Sequence, residues 1–142
     1  MTVREIMNTD VVSVAPEESV RCAARLMSRH NIGALPVCAE GGRLRGIVTD
    51  RDIVLRCVAQ ETDPAETPVR EIMTRAMVTA APDDELACAA GRMADSQVRR
   101  VPVVENGRLV GMVALGDLAR RRTCAMEAAQ ALCEISLNVR SR

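Results

Sequence analysis

The stretch Gly46-Ile47-Val48-Thr49-Asp50-Arg51-Asp52 sets a hydroxyl and a carboxylate three residues apart. The residues before it read as a strand and those after it as a helix, so Thr49 falls at the junction and Asp52 in the first helical turn. Such a hydroxyl can donate a hydrogen bond. Such a carboxylate can accept two from a vicinal diol such as a ribose, as acidic residues do in dinucleotide-binding folds. Free backbone N–H groups at the helix start favour a phosphate nearby. A purely structural role fits the same residues, with Thr49 capping the helix and Asp52 facing its dipole. What favours the binding role is that the pattern occurs twice: Gly111–Asp117 repeats it, with Ala114 where the threonine stood.

The whole chain is doubled. Val3-Arg4-Glu5-Ile6-Met7 returns as Val69-Arg70-Glu71-Ile72-Met73, and Pro16, Cys22-Ala23-Ala24, Met27 and Pro36-Val37 return as Pro82, Cys88-Ala89-Ala90, Met93 and Pro102-Val103. After Gly41 the first copy carries one extra residue, Gly42. Laying Val3–Arg56 over Val69–Arg121 gives twenty-one identities. A repeat of this strength fixes the architecture before any single element is considered. Each copy is too small to bury much surface alone. The two are expected to pack face to face about a pseudo-twofold axis, with a groove at their seam as the place for a ligand.

Each copy reads as strand, helix, strand, strand, helix. In the first, Val11–Val14 is β-branched and short. Pro16-Glu17-Glu18-Ser19 opens a helix with acidic residues in its first turn, and Val20, Ala23, Ala24 and Met27 give it one apolar face ending near His30-Asn31. Leu35–Cys38 and Leu44–Val48 form a hairpin around Glu40-Gly41-Gly42, and a second helix runs from Thr49 or Asp50 to about Ala59. The second copy follows, with a strand at Met77–Ala80, a helix over Asp83–Ser96, and a hairpin turning at Glu105-Asn106-Gly107. This divides the chain into a first unit at 3–60, a linker at 61–68 carrying Pro64 and Pro68, a second unit at 69–122, and an amphipathic helix at 123–139. In that helix Ala128, Ala131, Leu132, Ile135 and Leu137 lie near a helical period. It serves as a strap across its own core or as a dimer contact.

Composition narrows the function. Apolar residues make up 48% of 142 residues, so the chain is globular. Aromatic residues are absent and Lys plus Arg balance Asp plus Glu at 19 each. Neither base stacking nor a broad basic field is available, which disfavours nucleic acid. No apolar run approaches the length of a membrane span and no signal peptide opens the chain, so a cytoplasmic protein is expected. Six cysteines form no CxxC pair, and His30 is the one histidine, so no zinc-finger spacing arises. Cys22, Cys57 and Cys88 fall in apolar helical patterns and read as buried small hydrophobes. His30 at a helix end and the run Arg120-Arg121-Arg122 read as helix-terminus residues favoured by the dipole. No Ser–His–Asp set and no phosphate-binding Gly-x-x-x-x-Gly-Lys occurs, so no enzyme is expected.

The doubled unit, Leu35-Pro36-Val37 with Val101-Pro102-Val103, and Gly46–Asp52 with its twin Gly111–Asp117 together resemble the tandem CBS domain, the regulatory module of cystathionine β-synthase. The resemblance covers about residues 3–122 and is nearest to small bacterial CBS-pair proteins of the hypoxic-response type. It implies an α/β (α+β) fold of two βαββα units, a homodimer, an adenosine ligand in the clefts, and an unknown protein partner. The ligand would be AMP, ADP, ATP or S-adenosylmethionine, regulatory and not a required cofactor.

The same resemblance implies two sites, each mixing the copies. The first joins Thr49 and Asp52 to Met77, Val78, Val98, Arg99 and Arg100, where the arginine forks suit phosphate oxygens. The second joins Asp117 to Val11, Val12, Ile32, Gly33 and Ala34. Lacking the threonine hydroxyl and the arginines, it is expected to be weaker by roughly 2–4 kcal/mol. The other class of function compatible with the residues is a CBS-fold interaction or stress protein without a nucleotide, sensing oxidation through a thiol such as Cys38.

Overall fold

A computed structural model describes residues 1–120 and 125–140. Its elements are α1 (Val20–His30), β1 (Ala34–Ala39), β2 (Arg43–Thr49), α2 (Asp50–Ile53, continued by a π-helical turn Val54–Val58), α3 (Leu86–Ser96), β3 (Arg100–Glu105), β4 (Arg108–Ala114), α4 (Leu115–Ala119) and α5 (Ala125–Arg140). Arg121, Arg122 and Cys124 lie outside the described residues.

The chain forms two compact units whose limits are offset from the sequence repeats. One is Val12–Met77, and the other combines Met1–Val11 with Val78–Arg142. The arm Val3-Arg4-Glu5-Ile6-Met7 therefore completes the unit that holds the second copy, and its twin Val69–Met73 completes the unit that holds the first. The bonding is the same in both. Val3 and Arg4 N–H groups donate to the carbonyls of Asp84 and Pro82 at 2.9 and 2.8 Å, and those of Val69 and Arg70 to Glu18 and Pro16 at 2.8 and 3.0 Å. Val3 and Val69 are fully buried, each in the core of the unit it joins. The region read as a linker also packs, since Thr67 and Pro64 carbonyls accept from the first free N–H groups of α1, on Val20 and Arg21.

The unit Val12–Met77 has a core of Val14, Val20, Ala23, Met27, Leu35, Val37, Val48, Cys57, Val69, Ile72 and Met73. Ser19 caps α1 by accepting from Cys22 N–H at 3.1 Å, and Asn31 ends it in the left-handed region. The helix thus starts after Glu17 and Glu18, which belong to the preceding turn and not to the first helical turn. The Glu18 carboxylate instead accepts from Ala15 N–H at 3.1 Å. Its twin Asp84 does the same for Ala81 N–H at 2.9 Å, and α3 accordingly begins at Leu86, three residues later than expected.

Both hairpins form with the expected turns. Pairing runs from Ala34↔Thr49 to Ala39↔Arg43 and from Arg100↔Ala114 to Glu105↔Arg108, each with one bulge. Asn106 and Gly107 both take positive φ, as a two-residue turn of mirror-image type demands. The leading strands expected at 11–14 and 77–80 shrink to one parallel bridge each, Val14↔Val37 and Ala80↔Val103. Prolines cut these ladders on both sides. Val14 donates to Pro36 O and accepts from Cys38 N–H. The next bonds along a parallel ladder would come from the N–H of Pro36 and of Pro16, and proline has none. Pro102 and Pro82 do the same around Ala80.

The other unit is built on Val3, Ala80, Leu86, Ala89, Met93, Val101, Val103, Val113 and Leu118, with Ala128, Ala131 and Ile135 of α5 joining the cluster. Helix α5 matches the amphipathic expectation, but its buried seam is narrow. Leu132 and Leu137, read as core-facing, are 43% and 57% exposed. Of the cysteines expected to be buried, Cys57 is, Cys22 is half-buried and Cys88 is exposed.

Two glycines should respond to alanine with opposite signs. A Cβ on Gly46 in β2 would stand 2.7 Å from the Thr74 carbonyl, where β2 is bridged by the chain after the Val69–Met73 arm. Gly46→Ala should lower stability by about 1–3 kcal/mol. Gly91 in α3 has open space around its Cβ position, and Gly91→Ala should raise stability by about 0.5–1 kcal/mol. Urea unfolding of both variants checks this.

The Ala81 N–H bond, joined by the Arg92 guanidinium at 2.8 Å, holds the Asp84 carboxyl below its ordinary value. Its stabilising contribution is therefore present above pH ~4 and lost as pH falls through the depressed value. Asp84→Asn should melt below the wild type at pH 7, and the gap should close in melting curves taken towards pH 3.

Candidate functional site

The two strand-to-helix junctions share one backbone frame. Asp50 N–H donates to the Gly33 carbonyl at 2.9 Å, and its twin Leu115 N–H donates to the Arg99 carbonyl at 2.8 Å. Each bond pins the residue preceding the hairpin's first strand against the start of the helix that follows its second. The side chains on this frame differ.

In the first copy, Thr49 Oγ1 accepts from Asp52 N–H at 3.1 Å and Asp52 Oδ2 accepts from Thr49 N–H at 3.0 Å, a reciprocal cap. Asp52 is buried, and its Oδ1 lies 3.5 Å from Thr74 Oγ1 and 3.8 Å from Arg56 Nε. Gly33 sits beside Asp50: a Cβ there would be 3.0 Å from an Asp50 carboxylate oxygen. The twin copy carries Arg99 and Arg100 in place of Gly33 and Ala34, and Leu115 in place of Asp50. Val12 and Ile32 pack against the core of this unit.

In the second copy, Asp117 Oδ2 accepts from Ala114 N–H at 3.1 Å, and Asp117 pairs with Arg120. Ala114 offers no hydroxyl. Here the structure opens a cavity of about 590 Å³ whose lining includes Arg99, Arg100, Asp117 and Arg120 on one set of elements and Ala128 and Leu132 of α5 on another. Val78 and Val98 pack on the core beneath. Arg99 and Arg100 are exposed. Three guanidinium groups against one carboxylate give the wall a positive character, and α5 supplies an apolar one.

Arg99 and Arg100 therefore share a cavity with Asp117 of their own copy, a grouping the sequence reading did not make. The hairpin register was the available signal. Counting back from the Asn106-Gly107 turn puts Arg100 opposite Val113, and the bulge between Val103 and Val104 moves it opposite Ala114, with Arg99 bonded to Leu115. Of the other residues singled out, Thr49, Asp52, Met77, Val12, Ile32, Gly33 and Ala34 fall in the unit Val12–Met77, and Val11, Val78 and Val98 in the unit with Asp117. Ala128 and Leu132, expected only in a strap or a dimer contact, join the cavity lining as well. Among the described residues, no group of three or more His, Cys, Asp or Glu side chains is placed to hold a metal ion. No helix among them is long and apolar enough to cross a membrane.

Twin α/β units, each presenting a strand-to-helix carboxylate, define a class of tandem ligand-binding module. The chain belongs to the CBS domain family, whose model matches residues 3–58 and 69–123. It is 45% identical over 135 residues to the CBS domain-containing protein YhcV of Bacillus subtilis, covering 95% of each chain. It is 40% identical to hypoxic response protein 1 of Mycobacterium tuberculosis, over 84% of this chain and 83% of that one. A solved structure of hypoxic response protein I, with two coordinated zinc ions, aligns with a TM-score of 0.79 at 39% identity, covering 85% and 98%. The CBS domain pair of MJ0100, solved with 5-methylthioadenosine and S-adenosyl-L-methionine, aligns with a TM-score of 0.74 at 33% identity, covering 84% and 94%. The chain is thus a CBS domain pair, a regulatory module.

The two carboxylates should differ in what they do for stability. Asp52→Ala removes a reciprocal cap and leaves Thr49 N–H unpaired, and should cost about 1–2 kcal/mol. Asp117→Ala removes one backbone contact and an exposed ion pair, and should cost less, about 0.5–1 kcal/mol. Equal losses in urea titrations would contradict this.

Proposed function

We propose that this chain binds a phosphorylated adenosine at the cavity lined by Arg99, Arg100 and Asp117, and that occupancy is signalled to a separate protein. The carrying observation is the gathering of three guanidinium groups, a carboxylate and an apolar wall around one cavity. Arginine forks match phosphate oxygens, a carboxylate accepts from ribose hydroxyls, and an apolar wall suits a flat base. The adenosyl ligands of the MJ0100 pair support the nucleoside part of this reading.

The twin junction in the first copy is suited to a different ligand. With Gly33 and Ala34 in place of the arginines and the Asp50 carboxylate beside Gly33, a phosphate there meets repulsion and lacks the adjacent pair of guanidinium groups its twin offers. The ranking of the two signature carboxylates is therefore revised: Asp117, with its arginines, takes the phosphate-bearing ligand, and Asp52 mainly holds its helix. A homodimer and a cytoplasmic setting remain part of the proposal.

The thiol-sensing alternative is less well supported. Burial pushes the Cys38 thiol up, with the Ser13 hydrogen bond acting the other way, and a hydrogen bond to the Glu18 carboxylate raises Cys22. Both shifts reduce the thiolate that oxidation chemistry needs.

Calorimetry with AMP, ADP, ATP, S-adenosylmethionine and adenosine tests the proposal. AMP should bind more tightly than adenosine. Arg99→Gln with Arg100→Gln should weaken AMP by about ten- to a hundredfold, the loss of one or two charge-assisted bonds, and leave adenosine nearly unchanged. Absence of heat with all five ligands, or equal binding of AMP and adenosine, would sink it.

A further inference from the structure

Helix α5 lies beyond the residues the family model matches, which end at 123, yet it forms one wall of the cavity. It is held on α3 and α4 by a seam in which only Ala128, Ala131 and Ile135 are buried among the described side chains. Two of those are alanines, so the seam removes little apolar surface from water. The groove where α5 meets α3 is lined by Asp95, Glu127 and Glu134. Like charges gather there, and Glu127 Oε2 is buried with no hydrogen-bond partner among the described residues. A buried oxygen without a partner works against docking. Meanwhile Leu132, on the cavity side of the helix, stands 43% exposed.

We propose that α5 is a ligand-responsive strap: a phosphorylated adenosine in the cavity covers Leu132 and Ala128 and tightens α5 on its unit, and an empty cavity leaves the helix loosely docked. The inference rests on the reading of the cavity given above and adds the route by which occupancy is passed on. A helix held by a thin seam that gathers acidic side chains has docked and undocked states close in free energy. A ligand that touches the helix only when it is docked shifts their populations by its differential contact. Undocking would uncover Ala90, Leu115 and Leu118, which share the buried cluster with α5, and so expose a new apolar surface in response to ligand loss.

Linkage makes this testable. The factor by which AMP slows the opening of α5 must equal the factor by which docked α5 tightens AMP. Hydrogen–deuterium exchange on the full chain, with and without saturating AMP, should show amides of Ala125–Arg140 exchanging about tenfold more slowly with AMP, inside the usual range of such couplings. Those of α1, in the other unit, should not change. Leu132→Ser should weaken AMP and shrink the protection of α5 by a matching factor. If AMP binds and α5 exchanges as before, or if Leu132→Ser binds AMP like the wild type, the strap is refuted and the cavity reading stands. If no adenosine phosphate binds the wild type, the cavity reading fails and the strap falls with it.

Discussion

The fold depends on an exchange of arms. Backbone bonds from Val3 to Asp84 and from Val69 to Glu18 place one repeat's opening residues in the core that contains the other repeat's helices and hairpin. Val3 and Val69 are both wholly buried there. Some fifty residues of α/β chain bury too little apolar surface to offset their conformational entropy, and the arms add the missing apolar side chains and cap the turn before each long helix. A repeat cut out at its sequence boundaries would keep its own arm and lose the one that completes its core. The doubling is thus a condition for folding, and it delivers two strand-to-helix junctions of the same shape.

That shared shape makes the chemical difference between the copies interpretable. One backbone bond, Asp50 to Gly33 or Leu115 to Arg99, sets the frame in both. On it the first copy carries Gly33, Ala34, Thr49 and Asp50, and the second carries Arg99, Arg100, Ala114 and Leu115. The first gains a reciprocal cap that buries its signature carboxylate. The second gives up the hydroxyl, leaves its carboxylate half-exposed beside Arg120, and surrounds it with cations. With the same geometry and different local charge, the two junctions give the proposed difference between their ligands its physical basis.

Most of this architecture can be read from residues alone because it rests on local rules. The repeat gives the pairing of elements, Asn106-Gly107 gives its turn, and the apolar spacing of Val20, Ala23 and Met27 gives the buried face of α1. Three things were not legible. The leading strands failed because proline at 16, 36, 82 and 102 removes donors the ladder needs, and that pattern shows only once the parallel register is known. The helix starts were placed early because Glu18 and Asp84 look like first-turn acids, while they cap the turn before. The partnership of Arg99 and Arg100 with Asp117 was hidden because the family pattern points across the copies and because the bulge between Val103 and Val104 shifts the hairpin register by one residue before it reaches Arg100.

The position of α5 turns a binding module into a candidate switch. A ligand contacting only the junction would meet groups fixed by the hairpin and α4, both anchored in the core through Val101, Val103, Val113 and Leu118. Tight packing of that kind changes little on binding. Helix α5 is different: alanines make up most of its buried seam among the described side chains, a carboxylate oxygen has no partner among the described residues, and a leucine faces the cavity partly in water. Binding free energy can alter an equilibrium only where two arrangements lie close together. In the unit with Asp117, α5 is the element that combines contact with the cavity and such a balance, so the effect of a ligand at Arg99 and Arg100 is expected there and not in the sheet that holds them.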